Sequence, residues 1–165
     1  EAQLVVGKIV EAALARAATT ATAQIVPVAE VGPYRIMQVE DNEVCFAAIE
    51  LLSANQKPMI YSYYETTQGQ RWNVAGFASE MEIEDGQRTI TVTIDGTETI
   101  SRETETRGGD FLLPFEALEE IEAQEALVQT GLTMTIAVDD YDTVDIGLND
   151  LRLALSATTD CLAGL

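Results

Sequence analysis

A mainly β fold is the class this sequence predicts: an antiparallel sandwich of about eight strands, with two short helices and an N-terminal helix ahead of it. Three observations lead there. Ile90, Val92 and Ile94 alternate with Thr89, Thr91 and Thr93, the period of two that gives a strand one apolar face. Leu132, Met134, Ile136 and Val138 repeat the pattern. Turn signals also recur at short intervals between apolar runs, with Asp95-Gly96 the clearest. The 165 residues suit one domain, and 47% hydrophobic content supports a packed core despite a net charge of −19.

The elements follow in order. Val6, Ile9, Val10, Ala13, Leu14 and Ala17 fall on one face of a helix, which charged Lys8, Glu11 and Arg16 distinguish from a signal peptide. Any export signal is expected upstream of Glu1. "TTATAQIVPVAEVGP" reads as a tether, because Pro27 and Pro33 oppose a continuing helix. Residues 1–24 are thus expected to form helix and tether, and 34–165 the sandwich domain. Within it, "YRIMQVE" and "EVCFAAIELL" flank a turn at Asp41-Asn42, and "MIYSYYET" and "RWNVAGFAS" flank "TQGQ". After the strand at 89–94, "TETISRETE" is a polar strand whose charges suit a sheet edge. Pro114 then opens a helix with Phe115, Leu118, Ile121 and Ala126 at helical spacing. A last strand through Val144, Ile146 and Leu148 leads to a helix capped by Asn149 or Asp150. That helix carries Leu151, Leu155, Thr158 and Leu162 on one face, with Cys161 at its margin.

Composition removes several functions. The chain has 28 acidic residues against nine basic ones, so phosphate backbones and anionic membrane surfaces are poor partners. The acids are scattered, which suits a solvated surface. No apolar run reaches the 18 residues of a membrane-spanning helix. There is no histidine, which removes Ser-His-Asp and Cys-His nucleophilic sites and His-ligated metal centres. No phosphate-binding glycine motif occurs, and no cofactor is expected.

Carboxylate chemistry survives this elimination. Asp139, Asp140, Asp142 and Asp145 are the metal candidates, as a loose calcium site, because an EF-hand starting at Asp140 fails at its fifth and sixth positions. Their alternative is a hydrated turn. Tyr61 and Tyr63 lie on one side of a strand and Tyr64 on the other. Tyr61, Tyr63 and Trp72 are the candidate platform for a ligand, against the simpler reading of aromatic packing.

Cys45 and Cys161 are the only cysteines. They can be buried thiols, reactive thiols or one disulfide. Neither has a basic neighbourhood that would activate it. A disulfide accounts best for a cysteine in a terminal helix that would otherwise fray. In the chain-entropy model, closing so long a loop stabilises by about 4–5 kcal/mol. It also implies an oxidising compartment, so the localisation expected is periplasmic or extracellular.

"TVDIGLNDLRLALSATTDC", together with "CFAAIELL", "RWNVAGF" and "EDGQRTITVTIDG", resembles small exported proteins of alphaproteobacteria whose best-known relatives are the invasion-associated locus B proteins. The likeness covers roughly Tyr34 to Cys161. It implies a periplasmic, disulfide-closed β-sandwich without an established enzyme activity. Having only two cysteines, and Asp150-Leu151 where those proteins carry Gly-Phe, the chain does not inherit an invasion role. The function expected is a non-enzymatic accessory or binding protein of the cell envelope, its partner a protein or small envelope ligand. The rivals are a carboxylate-dependent or calcium-assisted glycan hydrolase, and a structural subunit that self-associates through residues 4–17.

Overall fold

The computed structural model describes residues 24–39, 43–77, 83–113, 115, 117–139 and 141–165. The expected N-terminal helix, the Asp41-Asn42 turn, Pro114 and Asp140 lie outside the described residues. Among the described residues, ten strands form two antiparallel sheets, accompanied by two helices.

The larger sheet has six strands: β1 (Ile25–Val31), β2 (Tyr34–Val39), β3 (Val44–Leu52), β4 (Pro58–Thr66), β5 (Arg71–Phe77) and β8 (Asp110–Leu112), side by side in that order. The smaller contains β6 (Gly86–Ile94), β7 (Thr97–Thr106), β9 (Thr133–Val138) and β10 (Asp142–Gly147), in the order β10-β9-β6-β7. Helix α1 (Leu118–Thr130) joins β8 to β9, and α2 (Leu148–Ala163) follows β10.

The strand at 89–94 and its charged partner are where the alternation put them. Asp95 and Gly96 take φ of 51° and 82°, and Ile94 pairs directly with Thr97 in a two-residue hairpin. β7 is an edge strand, as its charges suggest.

The tether expected from Pro27 and Pro33 is corrected by β1, which pairs with β2 from Ile25 to Val31. Proline lacks an N–H but fits an edge strand, where one side of the ladder is unpaired. The register slips between Pro27 and Ala29, a bulge that blunts this edge. The sheet therefore starts at Ile25, ahead of the Tyr34 boundary. β8 has no counterpart among the expected strands. It pairs with β5 because Gly76 leaves room: a Cβ there would lie 2.7 Å from the Asp110 Cβ and 2.9 Å from its Cα.

The first helix differs in phase from the expectation, and the second in where it starts. In α1 the buried line runs through Gln124 and Val128, while Leu118 is 58% exposed and Ala126 is exposed. Glu120 fixes its start by accepting from the Ala117 N–H at 3.2 Å. In α2 the first residue is Leu148, with Gly147 at the cap, so Asn149 and Asp150 stand in the first turn. Asp150 there complements the partial positive charge of the helix start. Leu151, Ala154, Thr158 and Cys161 form its buried face, and the Thr158 hydroxyl is satisfied by the Ala154 carbonyl at 2.8 Å.

The inner faces of the two sheets share one core. Ile36, Ala47, Ala75 and Phe77 from the larger sheet meet Ile90, Val92, Ile136 and Ile146 from the smaller. α2 packs over β1–β4 on the same side and enters the same cluster. Cys45 on β3 and Cys161 on α2 are joined by a disulfide, with Cα atoms 6.3 Å apart, which holds α2 to the sheet. The opposite face of the six-stranded sheet carries a second apolar cluster, with Met37, Val39, Phe46, Ile60, Tyr64 and Val74.

Candidate functional site

Strand β4 sorts its tyrosines by alternation. Tyr61 and Tyr63 face inward with Ala47 and Ala75, whereas Ser62 and Tyr64 face the second cluster. On β5, next to them, Arg71 and Asn73 share the inner side and Trp72 the outer. Trp72 pairs with Tyr64, and the two rings stack at 5.2 Å, with Phe46 beyond at 4.9 Å from Tyr64. The three-residue aromatic platform is thus divided: Tyr61 and Tyr63 stand together, and Trp72 belongs to the other face.

Around Tyr61 and Tyr63 the two helices form the walls of a crevice. It is a small cavity of about 20 Å³, lined on the sheet side by Tyr61, Tyr63 and Asn73 and on the helix side by Gln124, Glu125 and Leu155. A shallower trough runs on from it between the helices, sharing Tyr63, Glu125 and Leu155 and adding Gln129, Arg152 and Thr159. Together they make one groove floored by the sheet.

Its polar groups are already joined to one another. The Tyr61 hydroxyl donates to Asn73 Oδ1 at 2.5 Å, and that of Tyr63 to Glu65 Oε1 at 3.2 Å. The same Glu65 oxygen accepts from the Thr159 hydroxyl at 3.3 Å, linking the sheet to α2. Arg71 Nε meets Glu125 Oε2 at 2.7 Å, linking the sheet to α1. Burial above all raises the pKa of Tyr61, reinforced by Tyr34, Tyr63 and Glu125. Burial, then the Glu65 and Glu125 carboxylates, raise that of Tyr63. Both phenols therefore stay protonated; their single hydrogens go to Asn73 and Glu65, and their oxygens remain able to accept. This equips the groove to hold a ligand by shape and hydrogen bonds.

Among the described residues the aspartates of this group do not converge. Asp142 is buried and accepts from Ser53 Oγ at 2.6 Å, from the Thr143 N–H at 2.9 Å and from the Asn55 N–H at 3.2 Å. It fastens the loop after β3 to β10. Asp139 accepts from the Thr89 N–H at 2.6 Å, and Asp145 from Thr135 Oγ1 at 2.6 Å across the β9–β10 pair. Among the described residues no three metal-ligating side chains come together. The described members, Asp139, Asp142 and Asp145, each hold a partner of their own, and Asp140 lies outside the described residues.

Arg71, Asn73 and Glu125 are groove residues that the sequence did not single out. A signal existed for two of them, since the alternation in "RWN" sets Arg71 and Asn73 opposite the side taken by Trp72. Comparison with protein-family models, with curated proteins and with solved structures finds no match to this chain.

Proposed function

We propose that this chain is a non-enzymatic binding module of the bacterial cell envelope, an exported β-sandwich that receives its ligand in the groove between α1 and α2. The observation that carries the reading is the groove itself, where protonated Tyr61 and Tyr63 stand beneath the Arg71–Glu125 ion pair. The chain has no histidine, and both of its cysteines are joined in the disulfide, which leaves carboxylates, hydroxyls and amines as its reactive groups. The disulfide and the likeness to exported proteins of the invasion-associated locus B group support a periplasmic or extracellular setting.

The test pairs compartment with chemistry. Protein recovered from its native cell is expected in the envelope fraction without free thiols. Incubated with purified envelope glycan, in calcium or in chelator, it is expected to release no reducing ends and to keep one Tm. Calcium-dependent release of reducing ends, lost in Asp140→Asn, would establish the glycan hydrolase instead.

A further inference from the structure

A second groove, of about 270 Å³, lies between strand β7 and helix α1. One wall is the start of β7, from Thr97 to Ile100. The other is Glu120, Ala123, Gln124 and Leu127, which a spacing of three and four places on one face of α1. Leu127 is 43% exposed there, and Ile100 and Phe115 are half-buried. β7 is the last strand of its sheet, so among the described residues no strand lies along its outer side. Ile94 and Thr97 close the hairpin as a bonded pair. Glu98, the next residue, therefore turns its N–H and C=O away from β6. Among the described residues, no backbone bond from 97–101 reaches a backbone group outside the β6–β7 ladder. The far half of the strand is occupied differently. Arg102 Nη1 donates to Glu120 Oε1 at 2.8 Å, and Thr104 Oγ1 to the Leu112 carbonyl at 3.4 Å. The charges that guard this edge, Arg102, Glu103 and Glu105, thus stand beyond the groove, and Glu98 is the one charge within 97–101.

We propose that 97–101 of β7 receives an extended peptide from another protein as an added strand, with α1 as the second wall of the site. The peptide that fits carries an aliphatic residue beside a lysine or arginine. An edge strand next to a helix offers backbone groups for affinity and a pocket for alternate side chains of the guest. Five strand residues span about 17 Å, enough to pair with a peptide of similar length. Ile100, Phe115, Ala123 and Leu127 suit an aliphatic side chain. Charge sets the rest of the preference. α1 carries four glutamates and no basic residue, and β7 three glutamates against Arg102, whose guanidinium is already held by Glu120. Glu98 stands exposed on the strand wall, placed to meet a cation. A second copy of the chain is a poor guest, because a net charge of −19 opposes the approach of two such faces. The site shares only Phe115 and Gln124 with the crevice at Tyr61 and Tyr63, so the two can be tested apart.

The probe is a phage-displayed library of random peptides about seven residues long, selected on the full-length protein. Enriched sequences are expected to set Lys or Arg beside Val, Ile or Leu. The most enriched one, synthesised with a fluorescent label, is expected to slow amide exchange over 97–101 when it binds. Glu98→Lys and Leu127→Asp are each expected to weaken it by roughly tenfold or more. Leu153→Asp on α2, at a position 59% exposed, is expected to leave binding unchanged. Glu98→Lys changes an exposed side chain next to the hairpin turn and carries the test if Leu127→Asp does not fold. A selection that enriches no sequence would overturn the proposal, as would peptides that bind both variants as tightly as the parent. Protection of 97–101 in the free protein that vanishes on dilution would overturn it too, by giving the edge to a second copy.

Discussion

Tyr34, Tyr61 and Tyr63 are all nearly buried, and all have pKa values raised above the ordinary value near 10. Burial is the leading cause in each. Asp150 adds to it at Tyr34, and Glu125 at Tyr61 and Tyr63. The sign of the pH dependence follows. Below pH about 10 both folded and unfolded chains keep these protons, and the full stability is present. Above it the unfolded chain releases protons that the fold retains, so stability falls as pH rises towards the folded values. Each tyrosine contributes a slope of about 1.4 kcal/mol per pH unit, or about 4 for the three. Urea unfolding between pH 8 and pH 11 is expected to show the loss beginning near pH 10. Phenolate absorbance from these residues is expected to appear only with unfolding. Stability that stays level to pH 11 would contradict the burial assigned to them.

Helix α1 lacks a basic residue in its last turn, and its end is held from outside. Arg152 on α2 donates Nη1 to the carbonyls of Val128 and Gly131, both at 2.8 Å, and Nη2 to the Asn149 side chain. A positive charge there satisfies carbonyls that the helix leaves free and opposes its negative end. Arg152→Met keeps the aliphatic stem and is expected to cost about 1.5–3 kcal/mol, with faster amide exchange over 127–131. The contrast with the β6–β7 hairpin shows what the sequence could convey. That hairpin was legible because alternation, Gly96 and charged flanks all act between neighbours in the chain. β1 was hidden because Pro27 argues against a strand unless the strand is known to lie at an edge. β8 is three residues long, shorter than any pattern, and depends on Gly76 meeting Asp110. α1 was recognised but misphased, since its buried face passes through Gln124 and leaves Leu118 outside. In the groove, the shared side of Tyr61 and Tyr63 was legible from alternation. The Arg71–Glu125 pair was not, because only the docking of α1 on the sheet brings it together.

The described residues form two sheets, with a helix stapled across one of them. The Cys45–Cys161 link spans 116 residues and anchors α2 over β1–β4. Replacing both cysteines by alanine is expected to lower the unfolding free energy by about 4–5 kcal/mol, read as a lower urea midpoint. A double variant with the parent midpoint would place the stability of α2 in packing alone. The link also has a consequence for the order of assembly. At about 5–20 residues per second, Cys45 is synthesised roughly 6–23 s before its partner, so its strand must wait for the last helix. With two cysteines only one intramolecular pairing exists, and there is nothing within the chain to reshuffle. Oxidative folding therefore needs an electron acceptor but no isomerase. Its characteristic error is a covalent bond to another molecule formed during that interval.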